Sequence, residues 1–185
     1  LDLVAGEHYT TLLLSGRGDG TLQPAYHLDL TPDDLAAADL TGDGLPDVIA
    51  VFGAHPAQLL RGRLGGGLEP PEPIDAGPAP TRVWLVDATG DGELDVLTTG
   101  GSAIAVAAGH GDGQFDAPLL SVQAQAIASA VPASLSGDGL PDLAVILAEP
   151  PAAGGRFVRF LQNSNGLFTE TGSTQVAPLV TVPAR

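Results

Sequence analysis

Residues 39 to 47 read "DLTGDGLPD", and they run straight into the apolar stretch "VIAVFG". The loop places carboxylates at its first, fifth and ninth positions, Asp39, Asp43 and Asp47, with Gly42 and Gly44 between them. Like charges about 4 Å apart repel by roughly 4 kcal/mol at an effective dielectric of 20. A hard cation held by oxygen ligands would offset that repulsion. The apolar run that follows, bounded by turn residues, has the length and composition of a strand.

The loop recurs. Residues 87 to 95 read "DATGDGELD" and residues 134 to 142 read "SLSGDGLPD". Their fifth positions, Asp43, Asp91 and Asp138, are 48 and 47 residues apart. A second signature is interleaved with the first: "GRGDGTL" at 16 to 22, "LGGGL" at 64 to 68, "GHGDGQF" at 109 to 115 and "NSNGLF" at 163 to 168. Its last glycines, Gly20, Gly67, Gly113 and Gly166, are 47, 46 and 53 apart, the longest step containing the insert "EPPAAGG" at 149 to 155. Self-similarity at this period points to a propeller or a solenoid. Within residues 81 to 125 the apolar runs are "RVWLV", "LDVLTTG", "AIAVAAG" and "APLLSVQ", four short strands separated by Gly, Asp and Pro turns. Four strands per repeat favour propeller blades. "TPDDLAAADL" at 31 to 40 carries a local helix-start signal. Its equivalents in the other repeats do not, so the repeat assigns it to a strand.

The expected fold is all-β: one β-propeller domain over residues 1–185, built from about four four-stranded blades. Three blades would occupy 31–80, 81–125 and 126–175. The fourth would combine 1–30 with 176–185, because "LDLV" at the start matches "LDVL" at 94 to 97 and "VPAR" at the end matches "VPAS" at 131 to 134. Pairing of those terminal strands would close the ring and remove its open edges. The same ends would also suit a homo-oligomer or part of a longer repeat array.

Read as a ligand string, positions 1, 3, 5 and 9 offer side-chain oxygens and position 7 a carbonyl. The first loop supplies Asp39, Thr41, Asp43, Asp47 and the carbonyl of Leu45; the second supplies Asp87, Thr89, Asp91, Asp95 and the carbonyl of Glu93. In the third, Ser134 and Ser136 join Asp138, Asp142 and the carbonyl of Leu140, so two carboxylates remain. Glycine at position 6 permits the tight turn. Oxygen-only ligation with irregular geometry selects Ca2+ over zinc, copper or magnesium. Two calcium sites and a weaker third are therefore expected.

"DLTGDGLPDVIAV" together with "GHGDGQF" resembles the FG-GAP/VCBS repeats found in integrin alpha-subunit propellers and many secreted bacterial proteins. The resemblance covers nearly the whole chain. It implies a calcium-stabilised propeller, commonly of seven blades, with calcium at Asp39, Asp43 and Asp47 and at Asp87, Asp91 and Asp95. Ser134 departs from the pattern, and the phenylalanine-glycine signature survives only as Phe52-Gly53.

Composition narrows the function. The 185 residues carry a formal charge of -15, and all seven basic side chains are arginine. Nucleic acid and anionic membranes are poor partners for such a chain. There is no cysteine, hence no disulfide, thiolate site or cysteine nucleophile. No apolar run is long enough to span a bilayer, so membrane insertion is not expected. His8, His27, His55 and His110 show neither metal-ligand spacing nor a nucleophile motif, and no catalytic constellation stands out. Arg17-Gly18-Asp19 spells an adhesion tripeptide, but "GRGDG" aligns with "GHGDG" and reads as a repeat turn. The resulting expectation is a non-enzymatic, extracellular or cell-surface module with a structural, adhesive or protein-interaction role and a protein or glycan partner. The alternative is a propeller lectin or carbohydrate-binding accessory module, in which Trp84 or Tyr26 would stack on a sugar.

Overall fold

The computed structural model describes residues 3–7, 10–14, 19, 21, 26–28, 31–123, 125–148 and 156–176. Every regular element among them is a strand. The first sheet holds β1 (Leu3–Glu7), β2 (Thr10–Leu14) and β3 (Tyr26–Leu28). The second holds β4 (Asp34–Ala38), β5 (Asp47–Phe52), β6 (His55–Leu60) and β7 (Glu72–Ile74). The third holds β8 (Arg82–Val86), β9 (Asp95–Gly100), β10 (Ala103–Ala107) and β11 (Leu119–Val122). The fourth holds β12 (Ile127–Ala133), β13 (Asp142–Leu147), β14 (Arg156–Ser164) and β15 (Leu167–Val176). Strands follow one another across each sheet in chain order, and every pairing is antiparallel.

The stretch with the helix-start signal is β4. Asp34 does not cap a helix; its Oδ2 accepts the Val83 N–H at 3.1 Å and ties β4 to β8 of the next sheet. Asp33 Oδ2 accepts the Gly53 N–H at 2.6 Å and pins the β5–β6 turn. The register of the sheet sets the backbone here, and the carboxylates serve it.

The second, third and fourth sheets stack face to face. Side chains alternate across a strand, so β9 sends Val96 to one side and Leu97 to the other. Val96 joins Val83 and Ala107 against Ile49, Val51 and Leu59 of the second sheet. Leu97 joins Ile104 and Val106 against Leu143, Val145, Leu161 and Phe168 of the fourth. A third cluster, Val48, Ala50, Leu60 and Leu68, lies on the opposite face of the second sheet. Middle strands with a sheet on each side are buried throughout, as β9 and β10 are, which is why their sequences run apolar instead of alternating. Each fully buried Leu, Ile or Val contributes about 1.5–3 kcal/mol relative to exposure.

One expectation needs correcting. The described residues form three four-stranded sheets and one three-stranded sheet, not four of four. The segment assigned to complete the first sheet begins at Val176, and Val176 belongs to β15, where it pairs with Arg156 across a long hairpin. Residues 177 to 185, Asp2 and the insert at 149 to 155 lie outside the described residues.

Candidate metal centre

Each aspartate loop joins the first and second strands of its sheet, at the same end each time. The local fold is shared. The fourth and sixth positions take positive φ in all three loops: 71° and 82° at Gly42 and Gly44, 79° and 94° at Gly90 and Gly92, 79° and 96° at Gly137 and Gly139. L side chains disfavour that region, which explains the glycines.

The ninth-position carboxylates, Asp47, Asp95 and Asp142, are fully buried. Asp47 Oδ2 accepts Leu40 N–H at 2.9 Å and Oδ1 accepts Gly62 N–H at 2.8 Å. Asp95 Oδ2 accepts Ala88 and Thr89 N–H at 2.8 Å each, and Oδ1 accepts Gly109 N–H at 2.9 Å. Asp142 Oδ2 accepts Leu135 and Ser136 N–H at 2.8 and 2.7 Å, and Oδ1 accepts Asn163 N–H at 2.9 Å. Each therefore fastens its loop to the end of the third strand of its own sheet. Burial pushes the Asp142 carboxyl up, but the N–H groups of Asn163, Ser136 and Leu135 outweigh burial and hold it below the usual carboxylate range. The links to Gly62, Gly109 and Asn163 span 15, 14 and 21 residues, and no local motif announces them.

First-position carboxylates turn inward on their own loops. Asp39 accepts N–H groups of Thr41, Gly42 and Gly44; Asp87 accepts those of Gly90, Asp91 and Gly92. Fifth-position Asp43 and Asp91 are exposed, and each binds only the N–H two residues on, at Leu45 and Glu93, through Oδ1. Ser134 leaves the third loop without the first-position acceptor. There Asp138 sits below the usual carboxylate range because the Leu140 N–H binds it, with help from Ser136 and Gln162.

Among the described residues, no three or more His, Asp or Glu side chains are gathered closely enough to hold a metal ion. The carboxylates are satisfied by loop N–H groups instead. One feature of the loops is not satisfied: the Thr41 and Thr89 hydroxyl oxygens are buried without any hydrogen-bond partner. Both occupy the third position, where a ligand string would use them. A buried hydroxyl without a partner costs about 1–3 kcal/mol, and the same cost appears twice at equivalent positions. In the third loop the corresponding Ser136 is exposed, and its Oγ faces the Asp138 N–H at 3.5 Å. The oxygen-only donor set and the two orphaned hydroxyls fit a hard cation in the first two loops. Carboxylate oxygens that accept one N–H each also keep a lone pair for a metal.

The other candidates lie elsewhere. His55 and His110 are exposed, and His110 Nε2 is 3.1 Å from Asp116 Oδ1. Trp84 is partly buried against the Leu97 and Leu143 cluster. Of the adhesion-like tripeptide only Asp19 is described; its Oδ1 accepts both the N–H and the hydroxyl of Thr21. The side chains of His8, Tyr26 and His27 lie outside the described residues.

A sequence model of the FG-GAP-like repeat matches residues 39–98 and 87–145. Both matches start on the first aspartate of a loop, Asp39 and Asp87, and together they span more than half of the chain. The chain belongs to the FG-GAP-like repeat family. Repeats of this family build β-propeller-like modules for protein interaction and are typical of extracellular proteins. No characterised protein in a search of curated sequences matches the chain significantly. No helix among the described residues is long and apolar enough to cross a membrane.

Proposed function

We propose that the chain is a calcium-stabilised, non-enzymatic β-propeller module that works outside the cell or on its surface by binding another protein. Calcium would be held by Asp39, Thr41, Asp43, Asp47 and the Leu45 carbonyl in one loop. The second loop would use Asp87, Thr89, Asp91, Asp95 and the Glu93 carbonyl. When bound, the ion supplies charge compensation and a cross-link between loop positions. Residues 134 to 142, with two carboxylates and a bonded Ser136, form the weaker site. The three four-stranded sheets are the blades.

The observation that carries the calcium reading is the pair of buried, unpartnered hydroxyls at Thr41 and Thr89. The stacking of successive sheets supports the blade reading. Trp84 favours the protein-interaction reading over a lectin, because it packs on the core. The test is thermal unfolding of the full chain in EDTA and after adding calcium. A ligand bound only by the folded state stabilises it by about 2.7 kcal/mol per site at a hundredfold excess over Kd. Melting temperature should fall on chelation and recover with calcium. An identical melt in both conditions, on protein shown by elemental analysis to be metal-free, contradicts the reading.

A further inference from the structure

The second residue of each of the first two loops is bound by the repeat that follows. Leu40, in the loop 39–47, accepts the Gly113 N–H through its carbonyl at 2.9 Å. Gly113 ends the glycine turn of the third sheet. Ala88, in the loop 87–95, accepts Asn163 Nδ2 through its carbonyl at 2.8 Å. Asn163 opens the glycine turn of the fourth sheet. The two acceptors are equivalent in the repeat and both are met by the glycine turn of the next sheet, but the donors sit at different turn positions, one a backbone N–H and the other a side chain.

Asn163 is 2% exposed, and its polar groups are all engaged. Its N–H donates to Asp142 Oδ1 at 2.9 Å, its Oδ1 accepts the Gly166 N–H at 2.9 Å, and its Nδ2 reaches Ala88. One residue thus joins the buried carboxylate of its own loop, through its backbone, to its own glycine turn and the loop of the preceding repeat, through its side-chain amide. Ala88 lies between Asp87 and Thr89, the first and third ligand positions, and its N–H is held by Asp95, the ninth. The Thr89 N–H is held by Asp95 as well, so the peptide between Ala88 and Thr89 is fixed from both sides.

We infer that Asn163 is a positioning residue for the cation loop 87–95 and that each cation loop is completed by the next repeat in the chain. This rests on the calcium reading above. Fixing the Ala88 carbonyl fixes the direction in which the Thr89 hydroxyl and the Asp87 carboxylate are presented. The loop 39–47 gets the same service from the backbone N–H of Gly113, whose own carbonyl accepts Arg61 Nη2 at 3.3 Å. Loss of the Asn163 side chain therefore acts on calcium affinity in the second loop and not in the first.

The experiment is calcium titration by calorimetry on the full chain in two backgrounds. Asp43→Ala leaves the loop 87–95 as the strong site; Asp91→Ala leaves the loop 39–47. Loss of a residue that orients a metal ligand typically weakens affinity by about 10–100-fold. Asn163→Ala should weaken binding about tenfold in the first background and less than about twofold in the second. Asn163→Asp keeps the acceptor for Gly166 but removes the donor to Ala88, and it carries the same comparison if Asn163→Ala does not fold. It also separates orientation from charge: a nearby extra carboxylate would tighten calcium binding by attraction, whereas loss of orientation weakens it. Equal effects in both backgrounds, no effect in either, or tighter binding in Asn163→Asp overturns the inference. Absence of calcium binding by the parent chain overturns the calcium reading itself.

Discussion

At the scale of single residues, the repeat spends its three aspartates on different tasks. The ninth is a structural acceptor, the first organises the loop backbone, and the fifth is exposed with one oxygen lightly used. That division gives a test independent of metal. In EDTA, Asp95→Ala strips the acceptor from the N–H groups of Ala88, Thr89 and Gly109. Each buried donor left unpaired costs about 1–3 kcal/mol, so urea unfolding should show a loss of about 3 kcal/mol or more. Asp91→Ala removes one exposed bond, to Glu93 N–H, and should cost under about 1 kcal/mol in the same buffer. Acid should act through Asp142, whose folded-state carboxyl is held below its usual range by backbone donors that outweigh burial. A carboxyl lowered on folding contributes stability above its unfolded value, near 4, and that contribution is lost as pH falls through the folded value. Stability of the chelated protein should decline below about pH 4, and Asp142→Asn should flatten that decline. An Asp142→Asn variant with the parent's acid limb would show that the carboxyl carries no such linkage. The spacing of the aspartates was legible in the sequence because each loop is local. The partners Gly62, Gly109 and Asn163 were not, since sheet register delivers them from a third strand. Asn163 was hidden further by the divergence of "NSNGLF" from the glycine-rich form of the turn.

Among the strands, the period of the repeat was a better guide than local propensity. "TPDDLAAADL" has the residues of a helix N-terminus, yet Asp34, which opens β4, and Asp33, just before it, bond across to Val83 and Gly53. The four apolar runs of residues 81 to 125 correspond to β8, β9, β10 and β11 because each is fenced by a turn that only Gly, Asp or Pro fills well. The fourth sheet was harder to read. β14 and β15 are 9 and 10 residues long, and this hairpin takes Val176, which the repeat had assigned to another sheet. The middle strands should dominate stability. Leu97 is fully buried between the third and fourth sheets, and Leu97→Ala should cost about 2–5 kcal/mol. Leu64 is 92% exposed in a glycine turn, and Leu64→Ala should change stability by less than about 0.5 kcal/mol. Similar costs at the two positions, measured by denaturant titration, would mean that the sheets do not share that core.

For the whole molecule, assembly and ion binding meet at the aspartate loops. A chain with a formal charge of -15 repels itself when compact, and its loops concentrate part of that charge at one end of the stacked sheets. Each of the first two loops is also the contact point for the next repeat, through Leu40 and Ala88. Cations bound there would neutralise charge where successive sheets meet. Calorimetric titration of the metal-free full chain with calcium tests this most directly. Two strong sites per chain are expected, one removed by Asp43→Ala and the other by Asp91→Ala, while Asp138→Ala leaves both. A chain that binds no calcium, or loses as much binding from Asp138→Ala as from either of the others, would contradict the account.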